Sequence, residues 1–406
     1  MQKKSNDDSQ AQPAILPKLP RGPRGEDYGA SWVGARRRAA AEAAGQGLPF
    51  LGGESVPDSA AEGKVENLIG WAQVPVGLAG PLLVHGGEGT RSCYVPMATT
   101  EGALVASTSR GMALLAAGGG VRARVTQSEL SQHPMLVYPS ALEALAAAKV
   151  AEASFERFRA LVAGITKHGA LRRVETQVLG RRLLLRLLFT TGDAIGINMA
   201  AHGAELCCAD LAERTAAVER FVHGQDVEKR ANARALVEGR GRSVLAEAVI
   251  PRDILGEKAR TTPEALVRVL RTYAVGYAQL GTQNWTVQAA NTIAAVFLAC
   301  GQDIAYVTEC STGLLDFDVT QEGDLHASVT LPTMLVGTVG GGSGQGTAAE
   351  CLRILGCEGA GRADSFAEII AATVLAGDLS LMAAFASHEF VQAHEALGRN
   401  RPGPPA

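Results

Sequence analysis

Apolar residues recur at helical spacing over four stretches of this chain. Spacing of three and four residues predicts helices that bury one face. Gly45, Gly118 and Gly398 follow three of the stretches, and glycine is common just beyond a helix C-terminus. The predicted helices cover residues 31–44, 104–117, 141–163 and 364–397.

Strand-like stretches lie between these predicted helices. Runs rich in apolar residues and bounded by turn residues predict strands at 82–84, 135–138, 173–179 and 183–190. After Asn198 the pattern returns to a helix and then to a strand near Val222. From about Pro134 onward, strands and helices alternate as in a unit with helices on one face of a sheet.

The composition of the chain mainly argues against certain classes of binding partner. The chain has 406 residues, enough for more than one structural unit, and a net charge of −3 with both signs mixed along it. This pattern argues against binding to nucleic acid or to an anionic membrane surface. The seven cysteines form no CxxC pair, and reduced thiols are typical of the cytoplasm.

Three further features of the sequence bear on the location of the protein and on whether it binds a membrane or a metal. No apolar run looks long enough to span a bilayer, and the best candidate is the short run 293–300. Residues 1–30 are polar and then rich in proline and glycine, which we interpret as a flexible leader without a signal core. No His, Cys or Asp cluster has metal-ligand spacing. We expect a cytoplasmic protein that binds neither a membrane nor a metal.

The most informative segment is Pro96–Ser107, in which Glu101 sits among small and apolar residues just before a predicted helix. A carboxylate in such surroundings loses hydration and keeps its proton more readily, as a general acid near neutral pH must. The alternative is a helix N-terminal acid that is satisfied by backbone N–H groups. Both interpretations are open on this segment alone.

Three other polar positions have functional and ordinary interpretations. Lys229, within Glu228-Lys229-Arg230, is either a functional cation or part of a solvated turn. Asp303 follows an apolar run and a glycine, so its carboxylate is either a functional acid or a cap at an element end. His394 falls in the last turn of a predicted helix, where the dipole favours the imidazolium form, so it is either a proton donor or, like most lone helix histidines, a structural residue.

A glycine-rich segment at 337–344 does not have the GxGxxG spacing of a Rossmann nucleotide site. Its bare backbone N–H groups are suited to a close approach by a pyrophosphate. A plain glycine hinge is the alternative interpretation.

These segments, in this order, resemble 3-hydroxy-3-methylglutaryl-CoA reductase. Residues 66–70 (ENLIG), 193–199 (DAIGINM) and 337–342 (GTVGGG) complete the pattern, which runs from about Arg36 to Arg401. The resemblance implies an α+β fold, in which a small ferredoxin-like nucleotide-binding domain is inserted into a large, mainly helical substrate-binding domain. It places a leader at 1–30, the large domain at 31–133 and 222–406, and the small domain at 134–221.

The resemblance also implies an activity, the NAD(P)H-dependent four-electron reduction of 3-hydroxy-3-methylglutaryl-CoA to mevalonate and CoA. Such chemistry needs a cation facing the developing oxyanion, an acid for that oxygen and a proton for the departing thiolate. In the family these groups are a Lys, a Glu, an Asp that couples to both, and a His. The matching residues are Lys229, Glu101, Asp303 and His394.

Further residues are implied to bind the cofactor and the acyl-CoA. The cofactor set is Arg157, Phe158, Asp193, Ile195, Gly196, Ile197, Asn198, Met199, Val339, Gly340 and Gly341, and the substrate set is Ser107, Arg110, Arg230 and Asn291. NADPH is the expected cofactor, and NADH stays a rival because Glu156 beside Arg157 repels a 2′-phosphate. The family forms homodimers or homotetramers with active sites between subunits, and the segment 66–81 resembles its dimerisation motif.

The acyl pocket departs from the family pattern at several positions. Gln132 stands where the family has an Arg that holds the acyl group, and Val222 stands where it has a Ser. Other changes are a Glu for an Asp, two Arg for two Lys, and a Gln for a His, at Glu228, Arg230, Arg271 and Gln288. A desolvated charged contact to a carboxylate is worth roughly 2–5 kcal/mol. The changed pocket therefore leaves one alternative open, a reductase of a related acyl thioester in a specialised pathway. A second alternative is a non-catalytic acyl-CoA-binding homologue, and the presence of all four catalytic residues speaks against it.

Overall fold

An 11-stranded sheet organises the fold. The computed structural model describes residues 15–23 and 26–387. The strands are β1 (Val76–Gly86), β2 (Gly89–Ala98), β3 (Val121–Gln132), β4 (Met135–Val137), β5 (Ala170–Leu179), β6 (Arg182–Thr190), β7 (Glu219–Phe221), β8 (Gly241–Ile250), β9 (Asn284–Trp285), β10 (Gly313–Val319) and β11 (Leu325–Met334).

Helices surround this sheet, and two of them match the predictions closely. The helices are α1 (Ala30–Ala44), α2 (Pro49–Gly52), α3 (Leu104–Ala117), α4 (Ala141–Ala153), α5 (Phe155–Ala163), α6 (Ile197–Thr215), α7 (Ala233–Glu238), α8 (Arg252–Ala259), α9 (Pro263–Leu280), α10 (Ala289–Ala299), α11 (Val307–Cys310), α12 (Gly346–Ile354) and α13 (Ala363–Ala386). Gly45 ends α1 in the left-handed conformation, with φ 70°, and Gly118 caps α3.

Strand β3 belongs to both parts of the sheet. Residues 122–129 pair with β8, and residues 130–132 pair with β6, in both cases antiparallel. The main order is β7-β4-β6-β3-β8-β11-β10-β9, with β1 beside β3, β2 beside β1 and β5 beside β6. One long strand therefore connects the small part of the sheet (β4 to β7) to the rest.

The small part contains the strands and helices predicted from residue 134 onward. Helices α4, α5 and α6 pack against its strands. The single helix predicted over 141–163 is wrong, because the chain forms two helices that meet at Ser154. The Ser154 hydroxyl donates to the carbonyl oxygen of Val150, and such a local bond competes with helix continuation.

The remainder of the chain has more strand than expected. Strands β1, β2, β3 and β8 to β11 all lie outside residues 134–221. The expectation of a mainly helical large domain therefore understates its sheet content. Alternating apolar residues on β8 and β11 are buried, so this sheet forms part of the core.

Helix α13 runs through the core. The expectation that no apolar stretch is long enough to span a bilayer is wrong for this helix. It is 24 residues long and contains an 18-residue window with a mean hydropathy of 1.9, so by length and composition alone it would reach across a bilayer. In this fold 83% of that apolar window is buried, as in the central helix of a globular protein. The predicted continuation of this helix to residue 397 lies outside the described residues.

Candidate active site

The ammonium group of Lys229, in the loop between β7 and α7, has two partners. Its Nζ atom lies 3.0 Å from Asp303 Oδ2 and 5.0 Å from the centre of the Tyr306 ring. The Asp303 carboxylate also accepts a hydrogen bond from the N–H of Ala305, at the start of a short 3-10 helix. Asp303 is thus both a cap and the partner of a cation.

The backbone of Lys229 is fixed by a hydrogen bond to a buried carboxylate, that of Glu309. Its φ of +58° is left-handed, which costs a residue with a Cβ about 1–2 kcal/mol. Its N–H donates to Glu309 Oε1, on a carboxylate that is only 3% exposed. Burial raises the pKa of Glu309, and the Arg240 guanidinium opposes that rise by donating to both carboxylate oxygens at 3.0 and 2.8 Å.

A second acid, Glu228, shares the same guanidinium. Its Oε1 atom accepts from Arg240 Nη2 at 3.3 Å and from Gln132 Nε2 at 3.2 Å, and its Oε2 accepts from the Tyr306 hydroxyl at 3.3 Å. The Gln132 side chain is buried. Its amide is therefore committed to an acidic neighbour.

Each cation in this region has an acidic partner. Arg230 pairs with Asp226 at 2.7 Å, Lys229 with Asp303, and Arg240 with Glu228 and Glu309. We call these residues the Lys229 cluster: Asp226, Glu228, Lys229, Arg230, Arg240, Asp303 and Glu309. The Lys229–Asp303 pair is about two-fifths exposed on each side, and an exposed pair is worth only about 0.2–1 kcal/mol.

Glu101 belongs to a separate pair with Asn291. The Asn291 amide Nδ2 donates to both carboxylate oxygens, at 3.1 and 2.9 Å. Glu101 is exposed, so the expectation of a dehydrated carboxylate is wrong for a single chain. The physical reason is that the flanking apolar residues Met97 and Leu104 turn into the core while Glu101 faces outward.

Helix α10 separates the two pairs. Asn291 is in its first turn, and Asp303 follows its C-terminus. At 1.5 Å per residue, the helix from Asn291 to Ala299 spans about 12 Å. Within the part of the chain that the structure describes, no hydrogen bond or ion pair joins Glu101 to Lys229.

The two predicted cofactor segments, far apart in sequence, lie against each other. The Asp193 carbonyl oxygen accepts from the N–H of Thr338 at 2.8 Å, and a Cβ on Gly337 would come 3.0 Å from the Ile195 nitrogen. Gly340 and Gly341, with φ of 76° and 57°, border open space. Gly196, with φ 81°, precedes α6, whose N-terminus has no side-chain cap.

The side chain of Asp193 is used within the fold. Its carboxylate accepts from the N–H groups of Gly361 at 2.8 Å and Ala363 at 3.1 Å, at the start of α13. Nearby, Asn198 is exposed and Val339 is half-buried. Three apolar members of the predicted set pack against the core: Ile195, Ile197 and Met199.

On the predicted adenine side, Arg157 and Phe158 face different environments. Arg157 is 60% exposed, and its Nε donates to Asp210 at 2.6 Å. Phe158 is fully buried, so in this chain it packs in the core and is not exposed to a cofactor. Glu156 pairs with Arg159 at 3.3 Å.

Two predicted substrate contacts, Ser107 and Arg110, form hydrogen bonds to α13. The Ser107 hydroxyl lies 3.0 Å from that of Ser380, and Arg110 donates to the hydroxyl and the carbonyl oxygen of Ser380. His394 lies outside the described residues. The residues searched for metal sites, 15–23 and 26–387, contain no group of three or more His, Cys, Asp or Glu able to hold an ion.

Sequence reasoning missed the residues beneath the two pairs. Glu309, Tyr306 and Asp378 carry no local signal, because their partners lie 80, 78 and 90 positions away in sequence. Arg240 had one, since it stands between two glycines in a segment of the family pattern. Its partners are 12 and 69 residues away in sequence.

Two solved structures of reductases have a similar fold. A class II 3-hydroxy-3-methylglutaryl-CoA reductase from Streptococcus pneumoniae, bound to NADPH, aligns with a TM-score of 0.69 and 21% identity, over 85% of this chain and 94% of that one. A second structure of the Streptococcus pneumoniae enzyme aligns with a TM-score of 0.69 at 20% identity, with the same coverage of both chains. The chain thus has the mixed α/β fold, with its large sheet, of these reductases.

Sequence comparison is more specific. The family model for hydroxymethylglutaryl-coenzyme A reductase matches residues 33–399. The 3-hydroxy-3-methylglutaryl-coenzyme A reductase of Pyrococcus abyssi is 40% identical over 377 residues, which is 90% of this chain and 92% of that protein. The Haloferax volcanii enzyme of the same name is 40% identical over 372 residues, with the same coverage. The chain belongs to the hydroxymethylglutaryl-CoA reductase family.

Proposed function

We propose that this protein reduces 3-hydroxy-3-methylglutaryl-CoA to mevalonate and free CoA, with two molecules of a reduced nicotinamide cofactor. The observation that carries the proposal is the placement of Lys229 Nζ 3.0 Å from Asp303 Oδ2, above the Tyr306 ring. An oriented cation is what the negative oxygen of a reacting thioester requires. Membership of the reductase family supports the same reaction.

The reaction adds hydride twice to the thioester carbon, and the carbon–sulfur bond breaks between the two additions. A bound nicotinamide cofactor supplies the hydride. Lys229 stabilises the negative charge on the substrate oxygen, and Asp303 orients its ammonium group. Glu101 donates the proton that turns that oxygen into an alcohol, and His394 protonates the thiolate that leaves. These proton sources balance the two additions.

We further propose that each active site forms between two subunits. The Lys229–Asp303 and Glu101–Asn291 pairs lie at opposite ends of α10, a helix about 12 Å long between them, and this separation supports a site that a second chain completes. A partner would also cover the exposed Glu101 and the exposed apolar side chains of Ile69 and Trp71. A homodimer is the smallest assembly that meets both needs, and a homotetramer would contain two such dimers.

The glycine segment 337–341 and the start of α6 form the proposed pyrophosphate site. Gly340 and Gly341 leave open space where side chains would stand, and the uncapped N–H groups of α6 favour an anion. The residues present thus fit a dinucleotide. We propose that residues 134–221 fold as a ferredoxin-like nucleotide-binding domain around this site, inserted into the substrate-binding domain.

We propose NADPH as the cofactor, with NADH as the alternative. Arg157 is an exposed cation that suits a 2′-phosphate, but Asp210 already pairs with it and Glu156 adds a second acid. The ratio of kcat/KM with NADPH to kcat/KM with NADH measures the cofactor preference. If the pairing of Asp210 with Arg157 limits the preference for NADPH, Asp210→Asn should shift this ratio towards NADPH. An unchanged ratio would show that Asp210 does not influence the cofactor preference.

We also propose a cytoplasmic location. The seven cysteines are buried, free thiols, as is typical of proteins in a reducing compartment.

The direct test uses purified protein with 3-hydroxy-3-methylglutaryl-CoA and NADPH. We expect mevalonate and free CoA, with two molecules of NADPH oxidised for each CoA released. Omission of the thioester is the control. Absence of turnover with this and every other acyl-CoA tested would favour the non-catalytic homologue.

A second candidate function is the reduction of a related acyl thioester, whose acyl group does not end in a carboxylate. The supporting observation is that Gln132 is buried against Glu228, and that each cation of the Lys229 cluster already has an acidic partner. In that case wild-type turnover of 3-hydroxy-3-methylglutaryl-CoA is poor. The double change Gln132→Arg with Val222→Ser should then raise kcat/KM for it by about tenfold or more, at about 1.4 kcal/mol per decade. Robust wild-type turnover that the double change does not improve would eliminate this candidate.

A further inference from the structure

Asp378 is a fully buried carboxylate in the middle of the apolar helix α13. Its Oδ1 atom accepts from the N–H of Gln288 at 2.9 Å, and its Oδ2 accepts from the N–H of Val287 at 3.2 Å. These two residues directly precede α10. A buried carboxylate persists only with such donors, and the positive end of a helix adds to their effect.

The side chain of Gln288 rests on the same turn of α13. A Cβ on Gly377 would come 2.0 Å from Gln288 Nε2, so glycine is what allows this close approach. The amide donates to the Val374 carbonyl oxygen at 3.3 Å and accepts from the Thr292 hydroxyl at 2.6 Å. Residue 288 is therefore fixed through both its backbone and its side chain.

This anchor reaches the Glu101–Asn291 pair through a single helical turn. The Gln288 carbonyl oxygen accepts from the N–H of Asn291 at 3.0 Å. Asn291 in turn donates to both oxygens of Glu101. The contacts thus run from Asp378 through Gln288 and Asn291 to the proposed acid.

A second contact ties α13 to the other side of the same pair. Ser380 binds Ser107 and Arg110 on α3, the helix that begins three residues after Glu101. A Cβ on Gly111 would come 1.8 Å from the carbonyl oxygen of Ala376, so α3 packs directly on α13. The helix that carries Asn291 and the helix that follows Glu101 therefore both pack against α13.

We propose that Asp378 is a positioning residue, which holds the start of α10 so that Asn291 orients the Glu101 carboxylate for proton donation. The inference rests on the proposed function, because that function makes Glu101 the acid. Asp378 itself does not touch the substrate.

The test compares Asp378→Asn with Glu368→Gln. Glu368 lies on the same helix, is buried and accepts N–H bonds from Gly87 at 3.0 Å and Val125 at 3.3 Å, neither of which is a predicted site residue. Both changes replace a buried carboxyl group that accepts hydrogen bonds from backbone N–H groups with an amide. We expect only Asp378→Asn to lower kcat, by about tenfold or more, with KM changed by less than about twofold. Equal effects of the two variants on kcat would overturn the proposal.

A double-mutant cycle supplies a readout that loss of stability does not imitate. In an Asn291→Ala background, Asp378→Asn should have little further effect on kcat, because the contact through which it acts is gone. Full additivity of the two changes would show that Asp378 does not act through Asn291. If Asp378→Asn does not fold, Thr292→Val can replace it, because this change removes the hydrogen bond from the Thr292 hydroxyl to Gln288. Thr292→Val is then combined with Asn291→Ala in the same double-mutant cycle.

A crystal structure of the variant separates this inference from the proposed function. In Asp378→Asn we expect the distances from Asn291 Nδ2 to the Glu101 oxygens to exceed those of a hydrogen bond, about 3.5 Å. Unchanged distances would overturn the positioning role whether or not the wild type turns over the thioester. A wild type that reduces no thioester would defeat the proposed function and leave this measurement valid.

Discussion

The backbone N–H of Lys229 donates a hydrogen bond to the buried carboxylate of Glu309, a residue 80 positions further along the chain. Asp303, at the start of the same segment, holds the ammonium group, and the ring of Tyr306 lies beneath it. The segment 303–309 thus contacts Lys229 at both ends of the residue. An uncommon left-handed backbone persists where the surroundings determine it in this way.

Glu309→Gln should therefore misplace Lys229. We expect kcat to fall by about tenfold or more, because the amide does not satisfy both Arg240 and the Lys229 N–H as a carboxylate does. Glu350→Gln is the matched control, since Glu350 is also buried and accepts N–H bonds from Phe50 and Leu51 at 2.9 and 2.8 Å. Thermal unfolding should show losses for both variants. A kcat for Glu309→Gln equal to that of the control would refute the positioning of Lys229.

Mixed dimers test the assembly of the site. Lys229→Ala and Glu101→Gln should each lower turnover about 100-fold or more, since one removes the cation and the other the acid. Co-expression of the two variants should restore activity, because half of the sites in a mixed dimer combine an intact Lys229 with an intact Glu101 from the other chain. Lys258→Ala, at an exposed lysine paired with Glu257, serves as the control for loss of a charge. Mixtures that stay inactive would place both residues of a site in one subunit.

His394→Gln should separate the two halves of the reaction. Reduction of the thioester releases a thiolate that needs a proton, whereas reduction of the free aldehyde intermediate does not. We expect thioester turnover to fall by about 100-fold while aldehyde turnover stays within about threefold of the wild type. Comparable losses with the two substrates would rule out a role for His394 that is confined to the thiolate.

Asp193→Asn should weaken the fold at neutral pH and have less effect in acid. Burial raises the pKa of Asp193, but the N–H groups of Gly361 and Ala363 outweigh this, and the pKa lies below its ordinary value of 3.8. A depressed folded-state pKa contributes stability above the unfolded-state value, and this is lost as the pH falls through the folded-state pKa. The difference in Tm between wild type and variant should therefore shrink below about pH 4. Thermal unfolding followed by circular dichroism measures it, and a difference that does not vary with pH would contradict the assignment.

Local structure was predictable wherever one element sets its own boundaries. The apolar spacing before Gly118 predicted α3 with its observed ends, because helix period and termination are properties of adjacent residues. The same logic failed at Ser154, where the apolar spacing runs on without a break while the chain forms two helices. A serine hydroxyl bonded to the preceding turn leaves no mark on periodicity.

The candidate residues were also predictable, through the order of their motifs, but their environment was not. Lys229 and Asp303 were expected to act together, and the structure places them 3.0 Å apart. Glu101 was expected to be dehydrated, yet it is exposed in one chain. Hydration depends on which surfaces meet, and neighbours in sequence do not decide that.

The sequence by itself determined the family, the helices α1 and α3 and the residues proposed to react, because these follow from local spacing and motif order. Only the tertiary structure decided that Glu309 binds the backbone of Lys229, that Asp378 binds the start of α10, and that the Lys229–Asp303 and Glu101–Asn291 pairs stand at opposite ends of that helix. Such contacts join residues 80 or 90 positions apart. Periodicity carries no information across that separation, so the packing of the sheet and α13 has to supply it.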